Sequence, residues 1–193
     1  MPRRVEILNK QEVFHKFIFR IEEVQLRYER FHGKMSEALT RLNFNRGDSV
    51  AAVVHDRAAD TVILVEQFRY PTYEKGPGWL IELPAGIVSD KENPQKTVQR
   101  ELMEEVGYEA KKVQHISTFY VSPGGTSERI HLYYASVVPK DQTSTGGGLA
   151  PEGEDIHVLS LKVSDALAKV ASGEIADAKT IIGLQWLQLH AKG

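Results

Sequence analysis

Cysteine is absent from all 193 residues. That excludes disulfides, thiolate nucleophiles and cysteine-based zinc sites together. An excess of positive charge is absent too: 24 Lys and Arg against 26 Asp and Glu leave a formal charge of −2. No basic surface therefore argues for nucleic acid. No apolar run reaches the roughly 20 residues of a membrane-spanning helix. The opening MPRRVEILNKQEV has two arginines but lacks the apolar core of a signal peptide. These absences lead us to expect a cytoplasmic protein without membrane or nucleic-acid partners. The length suits one domain, or one domain with a small appendage, and allows a real core.

The most informative segment is GIVSDKENPQKTVQRELMEEVGY, from Gly86 to Tyr108. It sets Gly86, Glu92, Arg100, Glu101, Glu104, Glu105 and Gly107 at the spacing G-x5-E-x7-R-E-x-x-E-E-x-G. Physically this is a glycine turn, a loop and a short helix. Asn93 can cap the helix, Pro94 suits its first position, and Gly107 can turn left-handed at its end. At roughly 100° per residue, Val98, Leu102, Met103 and Val106 fan across one side. Glu101, Glu104 and Glu105 share a neighbouring arc. Like charges one turn apart repel by a few tenths of a kcal/mol. A divalent cation would turn that penalty into a binding site, and carboxylate oxygens favour Mg²⁺ or Mn²⁺ over zinc. Taken alone, the acids also suit a solvated helix face, with Arg100 and Glu104 as an ordinary surface pair.

Around this segment the chain alternates strands and turns. Residues Phe17–Tyr28 read as a long strand or a bent pair, followed by a turn at His32-Gly33 and a returning strand from Glu37 to Phe44. Ser49–Val54 and Thr61–Phe68 are strong strands, Pro71–Gly78 is a loop, and Trp79–Leu83 is a short strand leading into Pro84-Ala85-Gly86. Lys111–Val121, Arg129–Val138 and Asp155–Leu161 complete the strands, with a flexible loop expected over Asp141–Gly153. Ser164 can cap a helix running to Ala171, and Asp177 one running to about His190. The last helix is apolar on more than one side and needs burial. An antiparallel unit over residues 1–46, rich in Phe14, Phe17, Phe19, Phe31 and Phe44, would be poorly stable alone, and a symmetric dimer would cover it.

The complete pattern, seven residues over 22 positions without a gap, resembles the Nudix box. Tyr108 departs from it softly, because the family usually has an aliphatic residue there. Beyond the box, the chain resembles bacterial ADP-ribose pyrophosphatases over nearly its whole length. The carrying segments are VEQFRY (65–70), PAG (84–86), SPGGTSER (122–129), GLAPEGEDI (148–156) and GLQWLQLH (183–190). Gly146–Gly148 and Gly173–Thr180 resemble the related GDP-mannose pyrophosphatases.

This resemblance implies an α+β fold: a Nudix α/β/α sandwich with a mixed sheet over residues 47–193, plus the N-terminal antiparallel sheet. It implies hydrolysis of ADP-ribose to AMP and ribose 5-phosphate, with GDP-mannose as the alternative substrate. The implied metal ligands are the Ala85 carbonyl, Glu101, Glu105 and Glu154, holding Mg²⁺ or, as a substitute, Mn²⁺. Glu152 matches a general base. Arg69, Pro123, Gly124 and Glu128 match substrate-contacting positions. The resemblance also implies a homodimer with exchanged N-terminal strands. Without it, Glu152 and Glu154 would read as a solvated acidic loop, and Arg69 as half of a structural salt bridge. A Nudix-derived binding module that no longer cleaves is a further reading, although such modules usually lose box carboxylates and this chain keeps them. His115, His131 and His157 are expected as strand histidines, and no serine has a histidine at a convincing spacing.

Overall fold

Ser49–Asp56 is buried along its whole length, so its alternate side chains must find a core on each face of a sheet. The computed structural model describes residues 3–89 and 91–190, apart from the Glu152 side chain. In chain order the strands and helices are β1 (Val5–Lys16), β2 (Phe19–Tyr28), β3 (Leu39–Asn45), β4 (Ser49–Asp56), β5 (Thr61–Phe68), α1 (Tyr70–Tyr73), β6 (Trp79–Glu82), β7 (Ala85–Ile87), α2 (Pro94–Val106), β8 (Gln114–Tyr120), β9 (Arg129–Val137), β10 (His157–Lys162), α3 (Val163–Ser172) and α4 (Ala178–His190). Single 3₁₀ turns occupy Pro139–Asp141 and Ala150–Glu152. Two compact units result: Met1–Asp48 with Tyr120–Arg129, and Ser49–Phe119 with Ile130–Gly193.

The larger unit is a mixed sheet of order β10-β5-β4-β9-β8, with β6 added beside β5 and β7 beside β4. Strands β4 and β9 run parallel, and β4 pairs antiparallel with β5 and β7. Val50, Ala52 and Val54 face a core closed by Val98, Leu102 and Val106 of α2. Ala51 and Val53 face the other core, closed by Ala166 of α3 and by Leu184 and Leu187 of α4. Helices thus cover both faces, as the α/β/α expectation requires. Burying Leu184 and Leu187 stabilises by roughly 1.5–3 kcal/mol each, and Gly183 lets α4 sit close. A Cβ there would lie 2.7 Å from Leu83 and 2.8 Å from Val53. Tyr108 packs in the α2-side core.

The smaller unit is a three-stranded antiparallel sheet of order β1-β2-β3. Alternation from Phe17 points to a strand starting there, yet the chain turns at Phe17, which has φ of +55°. An aromatic residue rarely adopts that conformation, so no glycine or asparagine announces the hairpin. The preceding strand β1 is exposed throughout, and no inward apolar row marks it in the sequence. Segment Tyr120–Arg129 joins this unit through β3: the Phe44 N–H donates to the Gly125 carbonyl at 2.8 Å, and the Ser127 N–H to the Phe44 carbonyl at 3.3 Å.

Two smaller expectations change. Helix α3 starts at Val163 with Lys162 in the cap position, and Ser164 caps nothing. Its hydroxyl is 3.4 Å from Asp165 instead. Tyr70–Tyr73 makes one helical turn that takes in the first residues of the loop expected over Pro71–Gly78. Asp177 does cap α4, accepting the Thr180 N–H at 3.0 Å. Among the described residues no helix is long and apolar enough to cross a membrane.

Candidate metal and diphosphate site

Helix α2 is built as its sequence directs. The Asn93 side chain accepts the Gln95 N–H at 2.8 Å, and Gly107 ends the helix with φ of +74°. The buried stripe is Thr97, Val98, Leu102, Glu105 and Val106. Glu105 therefore lies within the packed face and is only 2 % exposed, away from the solvated arc that the spacing suggests for all three acids. Its Oε2 accepts the Ala85 N–H at 2.9 Å. The expected glycine turn is the start of β7 instead, and Ala85 and Gly86 are pressed onto the same helix: a Cβ at Gly86 would come within 2.0 Å of the Glu101 carboxyl group. Only glycine allows that approach.

Arg100 organises the remaining acids of the box. Its guanidinium lies 2.8 Å from Glu104, 3.0 Å from Glu101 and 3.6 Å from Glu92. The expected Arg100–Glu104 pair is present, as one arm of a cation shared by three carboxylates.

Burial dominates the electrostatics. It pushes Glu105 up to about 8, helped by the Glu101 and Glu154 charges and opposed by the Ala85 N–H and Arg69. Burial likewise pushes Glu101 up to about 7, with Glu104 and Glu154 adding to it and Arg100 opposing. Two carboxylates that burial shifts upward and that sense a third are a perturbed cluster of the kind concentrated at functional sites.

The third acid, Glu154, comes from the glycine-rich loop. That loop is expected to be flexible, but its first half is strapped across the end of α2. The Thr143 N–H donates to Gly107 O at 2.8 Å, the Gly147 N–H to Glu105 O at 2.9 Å and the Gly148 N–H to Glu104 O at 3.1 Å. Carbonyls that a helix end leaves unpaired are satisfied by the loop. Gly146 sits so close that a Cβ would be 2.3 Å from Glu105 O. Glu154 Oε2 accepts the Leu149 N–H at 2.8 Å. Glu152 belongs to the 3₁₀ turn Ala150–Glu152, and its side chain lies outside the described residues. Gly153 between them is left-handed, with φ of +74°. The extended backbone that would aim both side chains the same way is therefore not adopted.

Arg69 follows β5 and pairs with Glu82 at the end of β6: Nε to Oε1 is 2.9 Å and Nη2 to Oε2 is 3.4 Å. Burial would lower the guanidinium, and Glu82, Glu105 and Asp177 together outweigh it and raise it. Lys179, at the start of α4, also donates to Glu82 Oε2. Sequence reasoning missed Glu82. The available signal was one acid among apolar residues in the short strand WLIE. Pro123, Gly124 and Glu128 belong to the smaller unit, where Glu128 lies 3.7 Å from Arg46. The three expected histidines stand in β8, β9 and β10, and His115 and His131 both contact the Thr118 hydroxyl, at 2.9 and 3.0 Å.

Among the described residues no three acidic or imidazole groups form a ready-made metal cluster. The donor chemistry nevertheless fits a hard divalent ion. Glu101 and Glu105 are carboxylates whose ionisation burial opposes, and Glu154 adds negative charge to both. A bound cation would offset that cost with the oxygen ligands such ions prefer. Glu101, Glu105 and Glu154, with the Ala85 carbonyl at the start of β7, are the groups that would hold it.

Comparison with known proteins gives the family. An ADP-ribose pyrophosphatase of Haemophilus influenzae is 38 % identical over 191 residues, spanning 96 % of this chain and 87 % of that protein. An ADP-ribose pyrophosphatase of Escherichia coli (strain K12) is 36 % identical over 189 residues, spanning 96 % and 88 %. A GDP-mannose pyrophosphatase of Yersinia pestis is 41 % identical over 149 residues, spanning 76 % and 74 %. A crystal structure of an ADP compounds hydrolase shares the fold with a TM-score of 0.74 at 19 % identity, over 98 % of this chain and 97 % of that one. Residues 45–190, which contain the whole box and its strap, match the NUDIX domain, and the chain belongs to that family.

Proposed function

We propose that this protein is a Mg²⁺-dependent pyrophosphatase that hydrolyses ADP-ribose to AMP and ribose 5-phosphate, with Mn²⁺ as a substitute ion. The observation that carries the reading is the pair of half-buried Glu101 and buried Glu105 held against Ala85 and Gly86 of β7, with Glu154 within electrostatic reach. In the reaction a water oxygen attacks one phosphorus and the bridging P–O bond breaks. Glu101, Glu105, Glu154 and the Ala85 carbonyl would hold the ion, which would supply charge neutralisation on the phosphates and activation of the attacking water. Arg69 contributes a positive charge to the diphosphate, Glu152 takes the proton from the attacking water, and Pro123, Gly124 and Glu128 contact substrate. ADP-ribose is favoured because its hydrolases align with 96 % of the chain, including the N-terminal sheet.

GDP-mannose is the second reading. It is supported by 41 % identity to the Yersinia pestis enzyme and by the Gly146–Gly148 and Lys179-Thr180 segments. A non-cleaving module is disfavoured because all box carboxylates are kept.

Residues 1–46 serve as a dimerisation unit, exchanging strands with a second copy, and 47–193 as the catalytic domain. The exposed apolar residues Val5, Ile7, Phe14, Phe17 and Leu42 support that assembly, and Phe17 is 81 % exposed. The test is incubation of purified protein with Mg²⁺ and ADP-ribose, GDP-mannose, NADH or dGTP, products separated by chromatography. Fastest conversion of ADP-ribose to AMP is expected. Preference for GDP-mannose would install the second reading, and no conversion of any substrate would overturn both.

A further inference from the structure

Glu82 is 3 % exposed, and its two oxygens divide their work. Oε1 takes Arg69 Nε at 2.9 Å, while Oε2 takes Lys179 Nζ and, at 3.4 Å, Arg69 Nη2. Lys179 is in turn 3.0 Å from Asp177. Asp177 accepts the Thr180 hydroxyl at 2.6 Å, and that hydroxyl accepts the Leu83 N–H at 2.8 Å. A closed chain of contacts therefore runs from Arg69 through Glu82 to the first turn of α4. It returns to the backbone immediately before Pro84-Ala85-Gly86. Two carboxylates and two cations balance within it.

Neutralising Glu82 does not require both cations. The Lys179 side chain is only 10 % exposed and meets that need from within the fold. The Arg69 side chain is 41 % exposed, so water could solvate it without Glu82. The second oxygen thus fixes the direction of a guanidinium that would otherwise sweep freely on its long stem. Burial opposes ionisation of Glu82, yet Lys179 and Arg69 hold its carboxyl below the usual range, so the tether is charged at neutral pH.

We infer that Glu82 is a positioning residue: a buried carboxylate, anchored on Lys179, that holds Arg69 in the orientation needed to meet the substrate diphosphate. This rests on the reading above that Arg69 contacts the diphosphate. Glu82 touches no reacting atom and acts through Arg69 alone.

The experiment is steady-state kinetics of the full-length protein with ADP-ribose and Mg²⁺ for Arg69→Ala, Glu82→Asp, Glu82→Gln and the double variant Glu82→Asp/Arg69→Ala. Glu82→Asp keeps the charge for Lys179 while shortening the reach to Arg69, so it stays folded even if Glu82→Gln does not. Arg69→Ala should raise KM about tenfold, the loss of one charge-assisted hydrogen bond. Glu82→Asp should raise KM severalfold with kcat within about twofold, and the double variant should be no worse than Arg69→Ala. If Arg69→Ala leaves KM unchanged, the diphosphate role of Arg69 falls and the tether with it. If Arg69→Ala raises KM while Glu82→Asp multiplies that effect or only lowers the melting temperature, Glu82 is a structural counter-ion and the inference is overturned.

Discussion

The Glu105 carboxylate accepts the backbone N–H of Ala85 at 2.9 Å, joining the box helix to the start of β7. One oxygen of a buried acid thus fixes the backbone whose carbonyl is proposed to face the metal. The same acid pays for its position with a pKa pushed up to about 8, burial being the main cause.

Glu105→Gln and Glu101→Gln should each reduce turnover by about 10²-fold or more, since even partners outside the ligand shell are worth 10–100-fold. Glutamine keeps an oxygen for the Ala85 N–H, so the fold should survive. Calorimetric Mg²⁺ titration should show weakened binding in both. Near wild-type turnover in either variant sinks the metal assignment.

Stability and metal affinity should both depend on pH. Both carboxylates have folded pKa values, about 7 and about 8, above the ordinary value of 4.5. The folded state then holds protons that the unfolded state releases, and its stability falls as pH rises from about 4.5 to 8. Metal must displace those protons, so Mg²⁺ affinity should rise across pH 6 to 8 with proton release on binding. Thermal melts with and without Mg²⁺ at pH 6 and 8 check both signs. A metal-free melting temperature that rises with pH over this range would contradict the argument.

The parts of this site legible in the sequence are those set by local periodicity. β4 and β5 announce themselves as apolar runs, and α2 by its cap, its proline and its closing glycine. The parts that were not legible depend on long-range contacts. Glycines 146–148 read as slack until the end of α2 is seen beneath them, 40 residues away in the chain. Glu82 is one acid in a four-residue strand, and its partners lie 13 and 97 residues off. β1 has no inward face, so alternation cannot find it.

The strap itself is testable. At Gly146, with φ of +66°, an alanine Cβ would collide with Glu105 O. Gly146→Ala should cost about 1–2 kcal/mol from the backbone conformation alone, with more from the clash. It should also weaken Mg²⁺ binding, because Glu105 and the Glu154 loop would move apart. Denaturant melts and metal titration measure the two effects. A variant as stable as the parent would mean that the strap is loose in solution.

Assembly offers a separate check. Light scattering should give about twice the 21.7 kDa of one chain. Deleting residues 1–45 should leave monomer or aggregate with poor affinity for substrate. A stable, fully active monomer from that truncation would remove the dimer from the site.

The acids of the glycine-rich loop should separate by kinetics. If Glu152 takes the proton from the attacking water, Glu152→Gln should lower kcat by roughly 10²–10⁴-fold and leave KM nearly unchanged. Glu154 already contributes to the field that raises Glu101 and Glu105, while its own oxygen is held by the Leu149 N–H. Glu154→Gln should therefore raise the Mg²⁺ concentration needed for half-maximal rate, and excess metal should restore part of the rate. The left-handed Gly153 turns the backbone between the two acids, so they need not act in concert. Kinetics of both variants across a Mg²⁺ series decide the matter. Full rate in Glu152→Gln, with a rate lost at every Mg²⁺ concentration in Glu154→Gln, would transfer the base to Glu154.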